Sequence, residues 1–397
     1  MNIIILYENP PEFGGMETLL LRIYDYFVGR GFNVFCILRY DVYSARGHLR
    51  KNMEFLGKDY KRLISRRFLI RQTKKFKIAD VRLAIAMDLF SALIGPLFST
   101  IQSNEKCIAI ASNWGPGYFS MQKKMPCHPM SVVQSYNLKK NYCKDRILFM
   151  SSQYISDGRE VLGSQWDATL FPLPISVGRY SLVERNPDRK IIVSVGRLSS
   201  MKEYNFYMVN VMEQLIAKGY DIFWHIYGDG DYKTQVMKAV ERSGLMGRVK
   251  LWGELPYENF PEVLARAGYF VGMGTSVLEA SAAGVPNIVA VAYDTSGITH
   301  GPLYAQEYGN LGEIVKTQTL IKVEDEVQRL LLLSDDDYHL ECSLNAKAAK
   351  EYDEKILLPK LEDRLALKPI CPSCFFYLFL EGYEALRWFL KVVCKLK

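Results

Sequence analysis

Short apolar runs alternate with longer amphipathic stretches along most of this chain. The first run spans residues 2–7, and a loop rich in proline and glycine and an amphipathic stretch at 16–29 follow it. Short apolar runs bounded by turn residues are typical of buried strands, and apolar positions that recur every three to four residues are typical of helices. The alternation therefore predicts an α/β fold with parallel sheets.

The same pattern predicts the remaining elements. The stretch 43–77 has a helical composition, and helices of the second half are predicted to begin near Tyr204, Tyr232, Tyr257 and Ser276. The further predicted strands are 33–38, 108–111, 131–134, 147–150, 169–171, 191–195, 221–227, 249–252, 269–271 and 287–291.

The pattern breaks at 179–189, where asparagine and proline stand among charged residues, as in a linker. A chain of 397 residues is also long for a single core. We therefore predict two doubly wound, Rossmann-like domains at 1–183 and 184–350 that face a cleft, the usual place for a ligand site. A helical segment and an amphipathic tail at 351–397 are predicted to follow them.

A loop after the run at 191–195 contains Arg197 and Lys202, five residues apart. In an open parallel sheet, ligands bind at the carboxyl ends of the strands. A guanidinium and an ammonium that face one point suit a diphosphate, on which charge builds as its bond to another group breaks. The alternative is two unrelated surface cations.

A second loop follows the run at 269–271. It contains Gly272, Gly274, Thr275 and Ser276, and a predicted helix comes directly after it. Glycine lets a ligand approach the backbone, and the free amides at a helix N-terminus favour an anion. The alternative is that Thr275 or Ser276 simply caps the helix.

Glu279 is predicted to lie in the first turn of that helix. Its carboxylate can accept hydrogen bonds from two adjacent ribose hydroxyls, as acidic residues do in other nucleotide sites. The alternative is an interaction with the helix dipole. Gly14 and Gly15 also stand at a helix start, after the first strand, and Glu17 follows them as a cap or a substrate contact.

The net charge of +7 is unevenly distributed. Residues 39–82 contain 14 lysine and arginine residues against 4 acidic ones, which favours an anionic partner such as a lipid head group or a phosphorylated substrate, or is only a solvated helical face. In the tail after Pro372, charged residues recur on one helical face and aromatic residues cover much of the rest. Both an interfacial membrane helix and a helix docked on the protein's own core fit that pattern.

Several classes of protein find no support in the sequence. The N-terminus has the pattern of a strand rather than of a signal peptide, and no stretch is long and uncharged enough to span a membrane. The 8 cysteines are scattered, the 5 histidines lack metal-ligand spacing, and no nucleic-acid-binding module is recognisable. We therefore predict a cytoplasmic protein that needs no metal or cofactor and binds no nucleic acid.

Taken in order, these motifs resemble those of the family 4 glycosyltransferases, which have the GT-B fold. The resemblance covers roughly residues 1–360, and the ordered set is more specific than any one motif. A softer similarity at 293–313 is to enzymes of bacterial surface-polysaccharide synthesis. The motifs are E-F-G-G-M-E-T at 12–18, segments at 147–158 and 171–175, G-R-L-x-x-x-K at 196–202, I-Y-G-D-G at 226–230, G-x-G-x-x-x-L-E-A at 272–280 and G-V-P at 284–286.

The resemblance implies a retaining transfer of a sugar from a nucleoside-diphosphate sugar to a hydroxyl of a lipid-linked or polysaccharide acceptor, without a required metal. It implies that Arg197 and Lys202 hold the donor diphosphate and that Glu279 binds the ribose. The protein is accordingly expected on the inner face of the plasma membrane, in peripheral contact with anionic lipid.

The resemblance also implies roles for the backbone. The amides of Gly274, Thr275 and Ser276 are expected to meet the phosphate or the sugar. Gly15, next to Gly14, is expected to approach the donor from the N-terminal domain, where the acceptor mostly lies.

One position departs from the family. The family usually has a second glutamate eight residues before the ribose glutamate, in contact with the donor sugar, and Val271 occupies that position here. Either other groups hold the sugar, or the protein binds without turnover. We favour an active transferase. The alternatives are a non-catalytic nucleotide-sugar-binding partner protein and a nucleotide-sugar epimerase of the same fold.

Overall fold

In a computed structural model, the chain folds into two compact units, Met1–Phe171 with Leu358–Lys397, and Pro172–Leu357. The break predicted at 179–189 lies within the second unit, because Val177 and Tyr180 pack in that unit's core. The residues that the structure describes are 1–10, 14–98, 106–111, 129–142, 144–368, 370, 376, 378 and 380–382.

The first unit is built on a seven-stranded parallel sheet with the order β3-β2-β1-β4-β5-β6-β7. Its strands are β1 (Asn2–Tyr7), β2 (Asn33–Leu38), β3 (Met53–Phe55), β4 (Val81–Ala86), β5 (Lys106–Ala111), β6 (Ile147–Phe149) and β7 (Thr169–Leu170).

The second unit contains a five-stranded parallel sheet with the order β10-β9-β8-β11-β12 and a two-stranded antiparallel sheet. The strands are β8 (Asp188–Val195), β9 (Phe223–Tyr227), β10 (Val249–Gly253), β11 (Ala267–Gly272), β12 (Asn287–Val289), β13 (Ile298–Thr299) and β14 (Ile321–Lys322).

Helices connect the strands in both units. Those of the first unit are α1 (Gly15–Gly29), α2 (Arg66–Lys75), α3 (Ser91–Phe98), α4 (Pro129–Lys140) and α5 (Ser152–Leu162). Those of the second unit are α6 (Val177–Ser181), α7 (Tyr204–Ala217), α8 (Lys233–Arg242), α9 (Phe260–Arg266), α10 (Thr275–Ala282), α11 (Val323–Leu331), α12 (Asp335–Ala349) and α13 (Glu354–Leu357), and α14 (Pro359–Glu362) belongs to the first unit. Short 3-10 turns lie at Ser44–Arg46, Gly57–Ile64, Lys144–Arg146, Ser200–Lys202, Tyr257–Asn259, Leu303–Ala305, Lys350–Tyr352 and Asp363–Ala366.

The apolar runs form central strands because helices cover both faces of the second sheet. Every residue of β11 is buried. One face packs against Met208 of α7 and Val236 of α8, and the other against Leu264 of α9 and Leu278 of α10. A parallel sheet covered in this way presents the carboxyl ends of its strands, with their loops, along one edge.

Two predictions about the first unit are wrong. Residues 131–134 belong to α4 and not to a strand, since Ser131, Gln134 and Leu138 are buried at helical spacing. The stretch 43–77 is not one helix: it contains β3, the 3-10 turn Gly57–Ile64 and α2. The sequence reasoning also missed β4.

The tail after Pro372 lies mostly outside the described residues. Phe376 and Leu380, in its described part, are 1% exposed in the core of the first unit, and the Phe376 ring stacks on Tyr136 at 6.4 Å. Leu378 is 70% exposed. Phe376 and Leu380 therefore dock on the protein's own core. Within the described residues, no helix has both the length and the apolar character needed to cross a bilayer.

The two units differ in charge. Residues 172–357 contain 19 lysine and arginine residues against 25 acidic ones, whereas the rest of the chain contains 31 against 18. The excess of positive charge, which favours an anionic partner, therefore belongs entirely to the first unit.

Candidate active site

The loop after β8 is held tightly against the loop after β9. The N–H of Gly196 donates to the carbonyl of Tyr227 at 2.9 Å. Gly228 and Gly230 have φ values of +144° and +147°, and a Cβ on them would lie 2.0 Å from the Gly196 oxygen and 2.3 Å from the Leu198 oxygen. Only glycine at both positions allows this approach, so the I-Y-G-D-G motif fixes the loop that contains the two cations.

Lys202 ends a 3-10 turn and folds back over the start of this loop. A Cβ on Gly196 would lie 1.9 Å from the Lys202 Nζ, so the ammonium rests against the glycine backbone. Burial, and then the neighbouring Arg197 guanidinium, lower the pKa of Lys202 to about 8. Two like charges held this close at a strand end are unfavourable by themselves and suit an anion that interacts with both.

The loop after β11 contains only Met273 and Gly274 before α10 begins. Gly274 is the N-cap, with φ of +69°, so no side chain caps the helix. The Ser276 hydroxyl donates instead to the Met273 carbonyl at 3.2 Å. The capping alternative for Thr275 and Ser276 is therefore wrong, and their amides lie in the first turn, where no helical acceptor exists.

Val271 lies inside β11 rather than in a loop. It is 1% exposed and packs in the apolar core with Trp224 and Ile288. A carboxylate at this position would be buried without solvent, at a cost of several kcal/mol. The short loop therefore moves the position eight residues before Glu279 into the core, and the valine there is a structural residue.

Glu279 is the fifth residue of α10, and the first turn of that helix contains no acidic residue. The prediction that placed it in the first turn is wrong, and the dipole alternative weakens with it, because that effect falls off beyond the first turn. Glu279 is 3% exposed, and its Oε1 accepts a hydrogen bond of 2.8 Å from the Tyr257 hydroxyl.

Tyr257 is itself fixed by Arg179. The guanidinium lies 4.3 Å from the centroid of the Tyr257 ring, and its Nη2 donates to the Tyr257 carbonyl at 3.0 Å. The sequence reasoning missed Tyr257 as a site residue, since it gave that position only as a helix start. The only signal would have been a tyrosine shortly after β10, at the same sheet edge.

Strand order brings the two predicted loops of the second unit together. Because β8 and β11 are adjacent, the loop of Arg197 and Lys202 and the start of α10 share one carboxyl edge. A third loop joins them: the N–H of Tyr293 donates to the Met201 carbonyl at 3.0 Å. Tyr293 is 58% exposed and has φ of +59°, which is uncommon for a residue other than glycine.

The remaining predicted residues lie in the first unit. Gly14 is the N-cap of α1 in an extended conformation, and Gly15 is exposed at the first helical position; Glu12 and Phe13 lie outside the described residues. Glu17 is 2% exposed.

A half-buried acid at the carboxyl edge of the first sheet was not predicted. Burial raises the pKa of Asp88 to about 6, although the N–H groups of Glu8 and Ser91 donate to it at 2.7 and 2.9 Å. Burial, and then the Glu17 carboxylate, raise the pKa of Tyr7. This edge of the first unit therefore also holds polar groups away from water.

Comparison with known proteins identifies the family of the domain that contains Arg197, Lys202 and Glu279. Residues 183–334 match the family described as "Glycosyl transferases group 1". The second unit contains a group 1 glycosyltransferase domain. The predicted resemblance is confirmed for this domain, which holds Arg197, Lys202 and Glu279.

Two relatives match part of this chain. Alpha-D-kanosaminyltransferase from Streptomyces kanamyceticus is 28% identical over 185 residues, which span 45% of this chain and 45% of that enzyme. Poly(ribitol-phosphate) alpha-N-acetylglucosaminyltransferase from Staphylococcus aureus (strain COL) is 27% identical over 147 residues, or 36% of this chain and 28% of that enzyme. The match thus covers less than half of either relative.

The fold extends over both units. HepE from Anabaena, solved in complex with UDP and glucose, superposes with a TM-score of 0.62 over 92% of this chain and 99% of its own, at 15% identity. The predicted GT-B fold with two Rossmann-like domains is confirmed. At this identity the similarity shows the fold alone.

Proposed function

We propose that this chain is a retaining glycosyltransferase that moves a sugar from a nucleoside-diphosphate sugar to a hydroxyl of a glycan or lipid-linked acceptor. The observation that carries the proposal is the Arg197–Lys202 pair, held by close glycine packing at the edge where α10 begins. The family match of the second unit supports it. The names of both relatives specify an alpha product, and the UDP bound to HepE makes UDP-sugars the first donors to test.

In the proposed reaction, the bond between the anomeric carbon and the diphosphate oxygen breaks, and a bond from that carbon to the acceptor oxygen forms on the same face. The acceptor proton passes to the departing diphosphate. Arg197 and Lys202 stabilise the charge that develops on the diphosphate, and the amides of Thr275 and Ser276 add fixed dipoles. We propose that no metal is needed, because the two cations supply the positive charge.

The donor site is proposed to bind the nucleoside through Glu279, whose carboxylate accepts hydrogen bonds from the ribose hydroxyls. Tyr257 orients this carboxylate from one side. The non-catalytic alternative rests on Val271, which is buried in β11 and leaves the usual sugar-contacting carboxylate absent at this position; the transfer assay below decides between the two. Gly14 and Gly15 of the first unit remain candidates for contact with the donor.

The configuration of the product tests the proposal. UDP-, GDP-, CDP- and dTDP-sugars would first be ranked by the rise in melting temperature, because a ligand that binds only the folded state stabilises it. The best donor would then be incubated with glycan acceptors, and the anomeric proton of the product examined by NMR. We expect the donor's configuration to be retained. An inverted product, or no product from any donor, would contradict the proposal.

Donor binding is expected to weaken above pH 8. The ammonium form of Lys202 is needed to pair with the diphosphate, and in the free protein its pKa is about 8. The affinity for UDP should therefore be nearly constant between about pH 7 and 8 and then fall by up to about tenfold per pH unit. Calorimetric titration across this range measures it. The variant Lys202→Arg keeps its positive charge across this pH range, so its affinity for UDP should not fall. The same fall in affinity in the variant as in the parent would contradict the assignment.

We also propose that the first unit faces an anionic acceptor lipid or membrane. The exposed side chains of α2 are all cations, whereas Phe68 and Leu69 on the other side of the helix are buried in the core. Charge on such a helix attracts anionic lipid by about 1 kcal/mol per residue near the surface. The exposed cations of α2 are Arg66, Arg67, Arg71, Lys74 and Lys75.

Cosedimentation with phosphatidylglycerol vesicles tests this surface. The triple variant Arg67→Gln, Arg71→Gln, Lys74→Gln should lose most of its binding, whereas Lys238→Gln on the second unit should bind like the parent. Equal sedimentation of the triple variant and the parent would exclude α2 as the contact.

A further inference from the structure

One face of the second sheet is left partly open at its edge. Alternate residues of a strand lie on the same face, and the register pairs Lys250 of β10 with His225 of β9. On the opposite face, Trp224 and Ile226 are buried beneath α7 and α8. On the open face, Trp252 is 47% exposed. The residues of this edge face are Phe223, His225, Tyr227, Arg248, Lys250 and Trp252.

The rings and cations of the edge face are arranged together. Trp252 lies nearly parallel to Tyr227, with ring centroids 6.0 Å apart, and makes an edge contact with His225 at 5.6 Å. The Lys250 Nζ lies 3.4 Å from the centroid of the Trp252 ring. The ammonium is therefore held directly at the exposed aromatic surface.

A second cation lies farther along the same face. The Arg248 guanidinium lies 4.6 Å from the centroid of the Phe223 ring and is paired with Asp221. Burial, and then the Lys250 ammonium, lower the pKa of His225, so its imidazole is neutral at pH 7. The edge face thus offers aromatic surfaces, a neutral imidazole and an exposed positive charge next to one another.

The residue types of the edge face favour one class of binding partner over the others. An exposed aromatic patch marks an interaction site, but lysine is depleted in the cores of protein interfaces, and here it covers the central ring. Nucleic acids and anionic membranes need many cations, whereas this unit has 19 basic residues against 25 acidic ones. A ligand with apolar faces and a few separate negative charges fits best, and an acidic sugar chain has both.

We propose that the edge face binds an acidic oligosaccharide. The Trp252 and Tyr227 rings pack against the C–H faces of sugar units, and Lys250 pairs with a carboxylate or phosphate group of the chain. The proposal does not depend on sugar transfer at the Arg197–Lys202 site. The edge face gives the enzyme a means of holding an acidic glycan on the donor-binding unit.

Calorimetry on the full chain with an oligogalacturonate tests the proposal, with a neutral malto-oligosaccharide of equal length as the comparison ligand. Binding of the acidic chain should be tighter and should weaken with salt. Trp252→Ala and Lys250→Gln should each weaken it by about tenfold. Met237→Ala, a change at an exposed residue of α8 on the opposite face of the sheet, should have no effect.

Affinity for UDP should be the same in Trp252→Ala, Lys250→Gln and the parent, which separates this site from the donor site. The proposal is overturned if both variants bind the acidic chain as the parent does, or if the neutral chain binds equally well. Tighter binding of single-stranded DNA than of the acidic chain, or loss of UDP binding in both variants, would also overturn it.

Discussion

Arg197→Ala and Lys202→Met are each expected to lower the rate of sugar transfer by about a hundredfold to a thousandfold. Removal of one fixed donor to a developing anion has an effect of this size in other active sites, and the two cations are proposed to act on the same diphosphate. Release of UDP from the best donor with a suitable acceptor measures the rate. Lys238→Ala, which removes an exposed cation of the same unit, should leave it unchanged.

These losses are expected without unfolding. The pKa of Lys202 in the folded protein, about 8, is below the usual value of a lysine, so the unfolded chain binds more protons between these two values. Stability therefore rises with pH across this window, and the charged ammonium lowers it at pH 7. Lys202→Met removes this charge, and its melting temperature should equal or exceed that of the parent. A transfer rate within a few-fold of the parent in both variants would contradict the assignment.

Glu279→Gln is expected to weaken UDP binding by about tenfold to a hundredfold, since hydrogen bonds to a charged group contribute about 1.5–3 kcal/mol each. Glutamine keeps the shape of the buried side chain but loses the charge that, in the proposed site, accepts hydrogen bonds from the ribose hydroxyls. Measuring the affinity of 3′-deoxy-UDP, which lacks one ribose hydroxyl, makes the test specific for a contact with the ribose. If Glu279 contacts the ribose, the glutamine change and the deoxy ligand should have less than additive effects. Additive effects would place Glu279 elsewhere.

Tyr257→Phe should have a smaller effect in the same direction. It removes the hydroxyl that donates to Glu279 Oε1 and leaves the ring on Arg179. We expect the donor KM to rise by about fivefold with little change in kcat, because the loss affects the orientation of a binding group. Tyr308→Phe removes a half-buried hydroxyl elsewhere in the unit and serves as the control. A fall in kcat with an unchanged KM would argue against an orienting role.

The predicted strands of the second half follow from local patterns, and the structure contains each of them. The runs before Gly196 and Gly272 are apolar and bounded by turn residues, so strand, loop and helix start are all visible in the sequence. Adjacency of the two loops then follows from strand order, which the α/β pattern restricts. The site could be predicted to this extent because each loop stands directly after its own strand.

The predictions that failed depended on distances between residues, which a sequence does not show. Glu279 was predicted in the first turn of its helix, but its position depends on the residue at which α10 begins, and a sequence does not set a helix end to within one residue. Tyr257 reaches Glu279 from a different stretch of the chain. At 131–134, the valines suggested a strand, whereas burial of Gln134 and Leu138, four residues apart, follows the helical period.

The central claim is that Arg197 and Lys202 form a diphosphate site, and calorimetric titration of UDP against uridine tests it most directly. In the parent protein, UDP should bind at least about a hundredfold more tightly than uridine, because the charge-assisted contacts belong to the diphosphate. This difference should nearly vanish in the double variant Arg197→Ala, Lys202→Met. Equal affinities for UDP and uridine in the parent, or an undiminished difference in the double variant, would contradict the account.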